Sequence, residues 1–133
     1  MRNESRVKLL VATKAKDIRQ RSFNYTPRAV KLYRHLQKQS DGAGWILSKQ
    51  FLRAASSIGA NIEEAQAGES RSDFIHKLGI ARKEGRESLY WLRVMAGSNI
   101  VPQRRVQPLG QETEELLTVL RSIILKTKRN SGD

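Results

Sequence analysis

Four arginines, Arg71, Arg82, Arg86 and Arg93, fall within roughly 60° of one another when their segment is wound as a helix at about 100° per residue. Asp73, Glu84 and Glu87 fall together on the opposite flank of the same apolar face. A guanidinium is planar, permanently charged and bidentate, so such a stripe suits phosphate groups. The same stripe suits the acidic edge of a neighbouring copy, in a head-to-tail contact that closes into a ring when the rotation allows. Two solvated flanks with local pairs is the plainer alternative. Lys83, Arg104, Arg105, Lys126, Lys128 and Arg129 extend the set of candidate nucleic-acid contacts. Tyr90 lies on the basic side of the segment and is the best placed aromatic to stack on a base; Trp45, Tyr25 and Tyr33 share that chemistry. Trp91 reads as core or subunit interface.

No set of residues assembles a reaction. Ser56 and Ser57 have no nearby histidine, and helix-borne serines mostly bond to their own backbone. Gly42-Ala-Gly44 lacks the Lys-Ser/Thr that a phosphate loop needs. A di-metal site in a bundle needs Glu-x-x-His pairs, and the residue three before His76 is Asp73. No catalytic residue, metal or cofactor is therefore expected. Asn61 and Glu64, beside Lys49 and Arg53, are the right types for a polar network between helices, or for an exposed edge with local pairs.

The 133 residues suit one domain, and 25 Lys and Arg against 13 Asp and Glu give a net charge of +12. A field of that size concentrates polyanions, with nucleic acid ahead of an anionic membrane surface. The chain has no cysteine, which excludes disulfides and thiolate chemistry and fits a reducing, cytoplasmic setting. Its apolar runs are too short to span a membrane. Lys8, Lys14, Lys16 and Asp17 interrupt any apolar region that a signal peptide would need.

The elements that must position these residues are helical. Residues 1–21, with seven basic and two acidic side chains, form a basic arm or an extra helix along Val7, Leu10, Val11 and Ile18. A first helix is predicted from about Pro27 to Gln39, because proline suits a first helical position. The break Ser40–Gly44 leads into a second, from about Trp45 to Gln66, on the stripe Leu47, Phe51, Ala54, Ile58, Ile62 and Ala65. Ser70-Arg-Ser-Asp73 has capping spacing and opens a third, to about Ala96, on Phe74, Leu78, Ala81, Gly85, Leu92 and Met95. A polar connection from Gly97 to Pro108 precedes a fourth, from about Leu109 to Lys128, on Leu116, Leu120, Ile123 and Thr127. No segment alternates with period two. The expected fold is all-α, an antiparallel four-helix bundle over residues 22–130.

Two collinear stretches carry a resemblance over roughly Ser22 to Asn130. One runs from Leu47-Ser-Lys-Gln-Phe-Leu-Arg53 through Ser57-Ile-Gly-Ala-Asn-Ile-Glu-Glu-Ala65. The other is Ser72-Asp-Phe-Ile-His-Lys-Leu78 with Ala81-Arg-Lys-Glu84, Glu87 and Tyr90-Trp-Leu92. The chain resembles the four-helix-bundle proteins encoded by intervening sequences in bacterial 23S rRNA genes. That family is related in fold to the accessory variability proteins of diversity-generating retroelements. The resemblance implies a closed homo-oligomeric ring, typically a pentamer, and no catalytic residue. Gly79 and Gly85 depart from it, standing where small helix formers are usual, at about 1 kcal/mol each relative to Ala. The high positive charge leans toward the retroelement branch, whose members resemble basic rings that bind nucleic acid and a reverse transcriptase. The alternative is a structural adaptor with no nucleic-acid role.

Overall fold

The structure, a computed structural model, describes the backbone of residues 2–39 and 41–130, and the side chains of residue 6 and of residues 17 onward within those ranges. The expected stripe of Val7, Leu10 and Val11 and the basic Arg2, Lys8, Lys14 and Lys16 lie outside the described side chains. Four helices follow one another: α1 (Arg2–Gln39), α2 (Gly42–Gln66), α3 (Arg71–Gly97) and α4 (Gln103–Arg129). Each packs on its two neighbours, α1 on α2, α2 on α3, α3 on α4 and α4 back on α1, with no diagonal contact among the described residues. Short connections make successive helices antiparallel. The cross-links agree: Arg19 meets Glu63 near one end of the α1–α2 seam and Gln37 meets Ser48 near the other.

The apolar stripes close into one core. Ile58, Ile62, Leu78, Leu92, Leu116, Leu120 and Ile123 are buried as expected. Phe74 is only partly buried, since it lies in the first turn of α3, at an end of the bundle. Ile18, Tyr25, Ala29, Leu32 and Leu36 bring α1 into the same cluster.

Three helices begin earlier than their patterns indicate. Pro27 lies inside α1 and does not start it. Proline removes the donor that the Phe23 carbonyl would use. Phe23 and Pro27 are both exposed, so water can serve that carbonyl. On the inward side the Thr26 hydroxyl donates to the Ser22 carbonyl at 3.0 Å, and Ile18, Ser22 and Tyr25 are buried. In α2, Asp41 is the N-cap and accepts from the Gly44 N–H at 3.1 Å, drawing the predicted turn into the first helical turn. In α4, Val101, Val106 and Leu109 are buried and hold the segment that reads as a polar connection. Asn99 reverses the chain after α3 with a left-handed φ of 59°. The Ile100 N–H then donates to the Met95 carbonyl and the Asn99 N–H to the Ala96 carbonyl, a Schellman closure.

Candidate nucleic-acid interface

The orientation of α3 decides what the protein presents. Ser70 caps the helix by accepting from the Asp73 N–H at 3.0 Å, and Asp73 sets a carboxylate in the first turn, near the positive end of the helix dipole. Leu78, Ala81, Gly85, Ser88, Leu92 and Met95 face the core and fix the rotation. Gly85 lets Leu117 of α4 ride over the helix, because a Cβ there would stand 2.7 Å from Leu117 Cδ2. That rotation turns Lys83, Arg86, Tyr90 and Arg93 to solvent and leaves Arg82 half-buried. Among the described residues none of these four cations has an ion-pair partner. The Tyr90 ring, 56% exposed, meets the Trp91 ring edge-on at 5.1 Å. Arg93 also borders a groove of about 350 Å³ between α3 and α4, with Gln103, Gln107, Gln111 and Glu114.

The acidic flank is paired within the chain, across to α2. Arg53 of α2 reaches Glu84 at 3.2 Å and also binds Glu87. The Trp91 indole N–H donates to Glu87 at 3.0 Å. That hydrogen bond and the Arg53 guanidinium hold the Glu87 carboxyl below its usual range. Two of the three carboxylates assigned to a subunit contact are thus engaged within the chain, and Asp73 stands apart, exposed, at the start of α3. Trp91 packs partly buried against the core.

The expected polar network of Asn61 and Glu64 does not form. The Asn61 side chain donates to the Ser57 carbonyl of its own helix at 2.8 Å. Glu64 is 62% exposed and pairs with Lys77 of α3 at 2.8 Å. Three residues of winding leave the two as neighbours on the α2 surface, yet each takes a different partner.

The ten cations proposed from sequence do not make one patch. Arg71 donates to the Asn130 carbonyl at 3.1 Å and lies near Lys126, Lys128 and Arg129 at one end of the bundle. Arg104 and Arg105 are exposed at the other end, roughly 40 Å away along a helix of this length. Arg82, Lys83, Arg86 and Arg93 stand within about three turns of one helix, with Tyr90 among them.

Sequence reasoning missed the buried hydroxyl cluster. The Tyr25 hydroxyl lies 2.8 Å from Ser88 Oγ and 2.8 Å from Thr113 Oγ1, joining α1, α3 and α4. Thr113 also donates to the Leu109 carbonyl at 2.6 Å. Burial pushes the Tyr25 phenol above its ordinary pKa. Tyr25 is therefore unavailable for stacking. The readable signal is that Ser88 and Thr113 interrupt apolar stripes at helical spacing. A second missed feature is the fork of Arg21, which binds both carboxylate oxygens of Glu112 at 3.2 and 2.9 Å and Glu115 at 2.8 Å.

Among the described residues no three His, Asp or Glu come together to hold a metal ion, and no helix is long and apolar enough to cross a membrane. Fold and surface together define a class, a basic up-and-down four-helix bundle with one arginine-rich helix face. The family described as 23S rRNA-intervening sequence protein matches residues 14–122, and the chain belongs to that family. It is similar to a crystal structure described as a protein with unknown function from the S23 ribosomal protein family of Bacteroides thetaiotaomicron VPI-5482. The two share 35% identity and a TM-score of 0.77, over 84% of this chain and 97% of that one. No curated protein matches the chain.

Proposed function

We propose that this protein is a non-enzymatic, cytoplasmic nucleic-acid-binding bundle that acts as a closed homo-oligomer. It holds the backbone of RNA or DNA on the outer face of α3. The observation that carries this is the row of exposed Lys83, Arg86 and Arg93 with half-buried Arg82 around Tyr90, on a helix whose Glu84 and Glu87 are turned to the other flank and paired there. Cations on one helix face can neutralise successive phosphates, and an exposed ring among them can stack on a base. Membership of the intervening-sequence family supports a setting close to RNA. A pentameric ring and service to the reverse transcriptase of a retroelement are the finer parts of the reading. With Glu84 and Glu87 engaged by Arg53, the ring contact would draw on Asp73 and on surface outside the α2–α3 seam.

The test is fluorescence anisotropy with labelled RNA and DNA across a salt series, with native mass spectrometry on the same samples. The slope of log K against log salt should steepen by about 0.9 per phosphate neutralised on duplex DNA and about 0.7 on single strands. Charge reversal of Arg82 and Arg86 should weaken binding to all sequences alike, and Tyr90→Ala should weaken single strands more than duplex. A protein that fails to bind either nucleic acid at low salt would leave the adaptor role in its place.

A further inference from the structure

The cations of this protein divide into those with a carboxylate partner and those without. Arg19, Arg21, Arg53 and Lys77 engage Glu63, Glu112, Glu115, Glu84, Glu87 and Glu64. Six of the 13 acids of the chain are thereby held by four of its 25 basic residues. A second group lines a groove of about 370 Å³ between the latter half of α1 and the beginning of α4. Arg28, Lys31 and His35 stand on the α1 lip at helical spacing, and Arg105 stands on the α4 lip. Leu32 and Leu109 form an apolar floor. Among the described residues no carboxylate lines the groove. Arg28, Lys31 and Arg105 make no ion pair among the described residues. Glu112, one turn beyond Leu109 on α4, is taken by the two-bond fork of Arg21.

We propose that this α1–α4 groove seats a nucleotide of a single-stranded RNA, its phosphate between Arg28, Lys31 and Arg105. Like charges converging from two helices repel one another, and a polyanion relieves that repulsion while releasing its own counterions. The apolar floor and the imidazole of His35 offer a sugar or base a surface that a bare inorganic anion would not use. A groove of this volume takes a nucleotide and excludes the convex wall of a duplex. α4 alone separates the groove from the arginine face of α3, so one strand can cross exposed Arg104 and touch both. The inference rests on the reading of the protein as a nucleic-acid binder and adds a second contact site and a preference for single strands.

Anisotropy with a fluorescent oligouridylate should show R28Q/K31Q/R105Q binding about tenfold or more weakly than the wild type. Its salt slope should be shallower by about 0.7, because the variant no longer neutralises the phosphate seated between the three cations. Binding of duplex DNA should change far less, and R28K/K31R/R105K should bind as the wild type does. A second measurement uses the wild-type protein and so needs no variant to fold. Oligouridylate should protect Lys31 from acetylation, read by mass spectrometry, and leave Lys49 on α2 reactive. Wild-type affinity and slope in the glutamine variant, or an unprotected Lys31, would overturn the groove while leaving the α3 face standing. Absence of RNA binding by the wild type would overturn both.

Discussion

The α2–α3 seam and the two faces of α4 have the same kind of aliphatic floor and opposite electrostatics. Along α2–α3, Arg53 bridges Glu84 and Glu87, and Lys77 meets Glu64. Beside α4, Arg82, Arg86 and Arg93 on one hand and Arg28, Lys31 and Arg105 on the other have no such partners among the described residues. Exposed pairs of the first kind contribute about 0–1 kcal/mol each, so stability is a weak reason for them. Their larger effect is subtractive, because they take up carboxylates that would otherwise offset the unpaired cations, as the Arg21 fork takes up Glu112 and Glu115 on α4 itself. In this protein the placement of the few acids defines the basic surface more sharply than the placement of the many bases.

Substitutions beneath the seam should separate packing from charge. Ile62 is fully buried on α2, and Ile62→Ala should cost about 2–5 kcal/mol in chemical denaturation. Arg53→Gln, at the surface of the same seam, should cost no more than about 1 kcal/mol. Equal losses from the two would mean that the pairs do more than set the surface charge. On the other side of the bundle, Tyr25→Phe removes the hydroxyl that joins Ser88 and Thr113. The loss should be about 1–3 kcal/mol, the cost of leaving a buried polar group unpaired. Unchanged stability would show that Ser88 finds another acceptor.

The two sides also differ in how far they could be read from sequence. The stripes of α2, α3 and the latter part of α4 follow helical spacing closely, so Ile58, Leu78, Leu92 and Leu120 fall in the core where the pattern puts them. The opposed flanks of α3 were legible for the same reason, since rotation about a helix axis is local arithmetic. What lay out of reach depends on residues distant in the chain. Arg21 and Glu112 are 91 positions apart, and nothing in either neighbourhood announces their fork. The length of α1 was hidden by Pro27, whose cost is small because its lost hydrogen bond falls on an exposed face. The groove beside α4 was missed because it exists only once α1 and α4 lie side by side.

Acid should erase part of the contrast. Glu87 is held below the ordinary carboxylate range, first by the Trp91 N–H and then by Arg53. A carboxylate depressed in the folded state contributes stability at pH values above its unfolded pKa, near 4.3, and that contribution is lost as pH falls through the lower folded value. Unfolding followed from pH 7 down to pH 3 should therefore show a decline of up to about 1 kcal/mol attributable to this group, discounted for its partial exposure. Glu87→Gln should flatten that limb by lowering the neutral-pH stability by about the same amount. An unaltered acid limb in the variant would assign the decline to other carboxylates.

The smallest effects test the two faces of α3 itself. Gly79 and Gly85 are six residues apart on one helix, and the same substitution should act differently at each. Gly79 is exposed, with nothing within 4 Å of a built Cβ, so Gly79→Ala should stabilise by about 0.5–1 kcal/mol through helix propensity alone. At Gly85 the new methyl would stand 2.7 Å from Leu117 Cδ2 and 3.7 Å from Ile58 Cδ1. Leu117 is only partly buried and can swing its free end away, at about 0.5–1.5 kcal/mol for an off-rotamer side chain. That cost is of the same size as the propensity gain, so Gly85→Ala should come out near neutral. Differential scanning calorimetry of the two variants reads the comparison directly, with a clear rise in Tm expected only for Gly79→Ala. A matching rise for Gly85→Ala would mean that α3 and α4 part without cost, and that the close approach at Gly85 is not what sets the rotation of the arginine face.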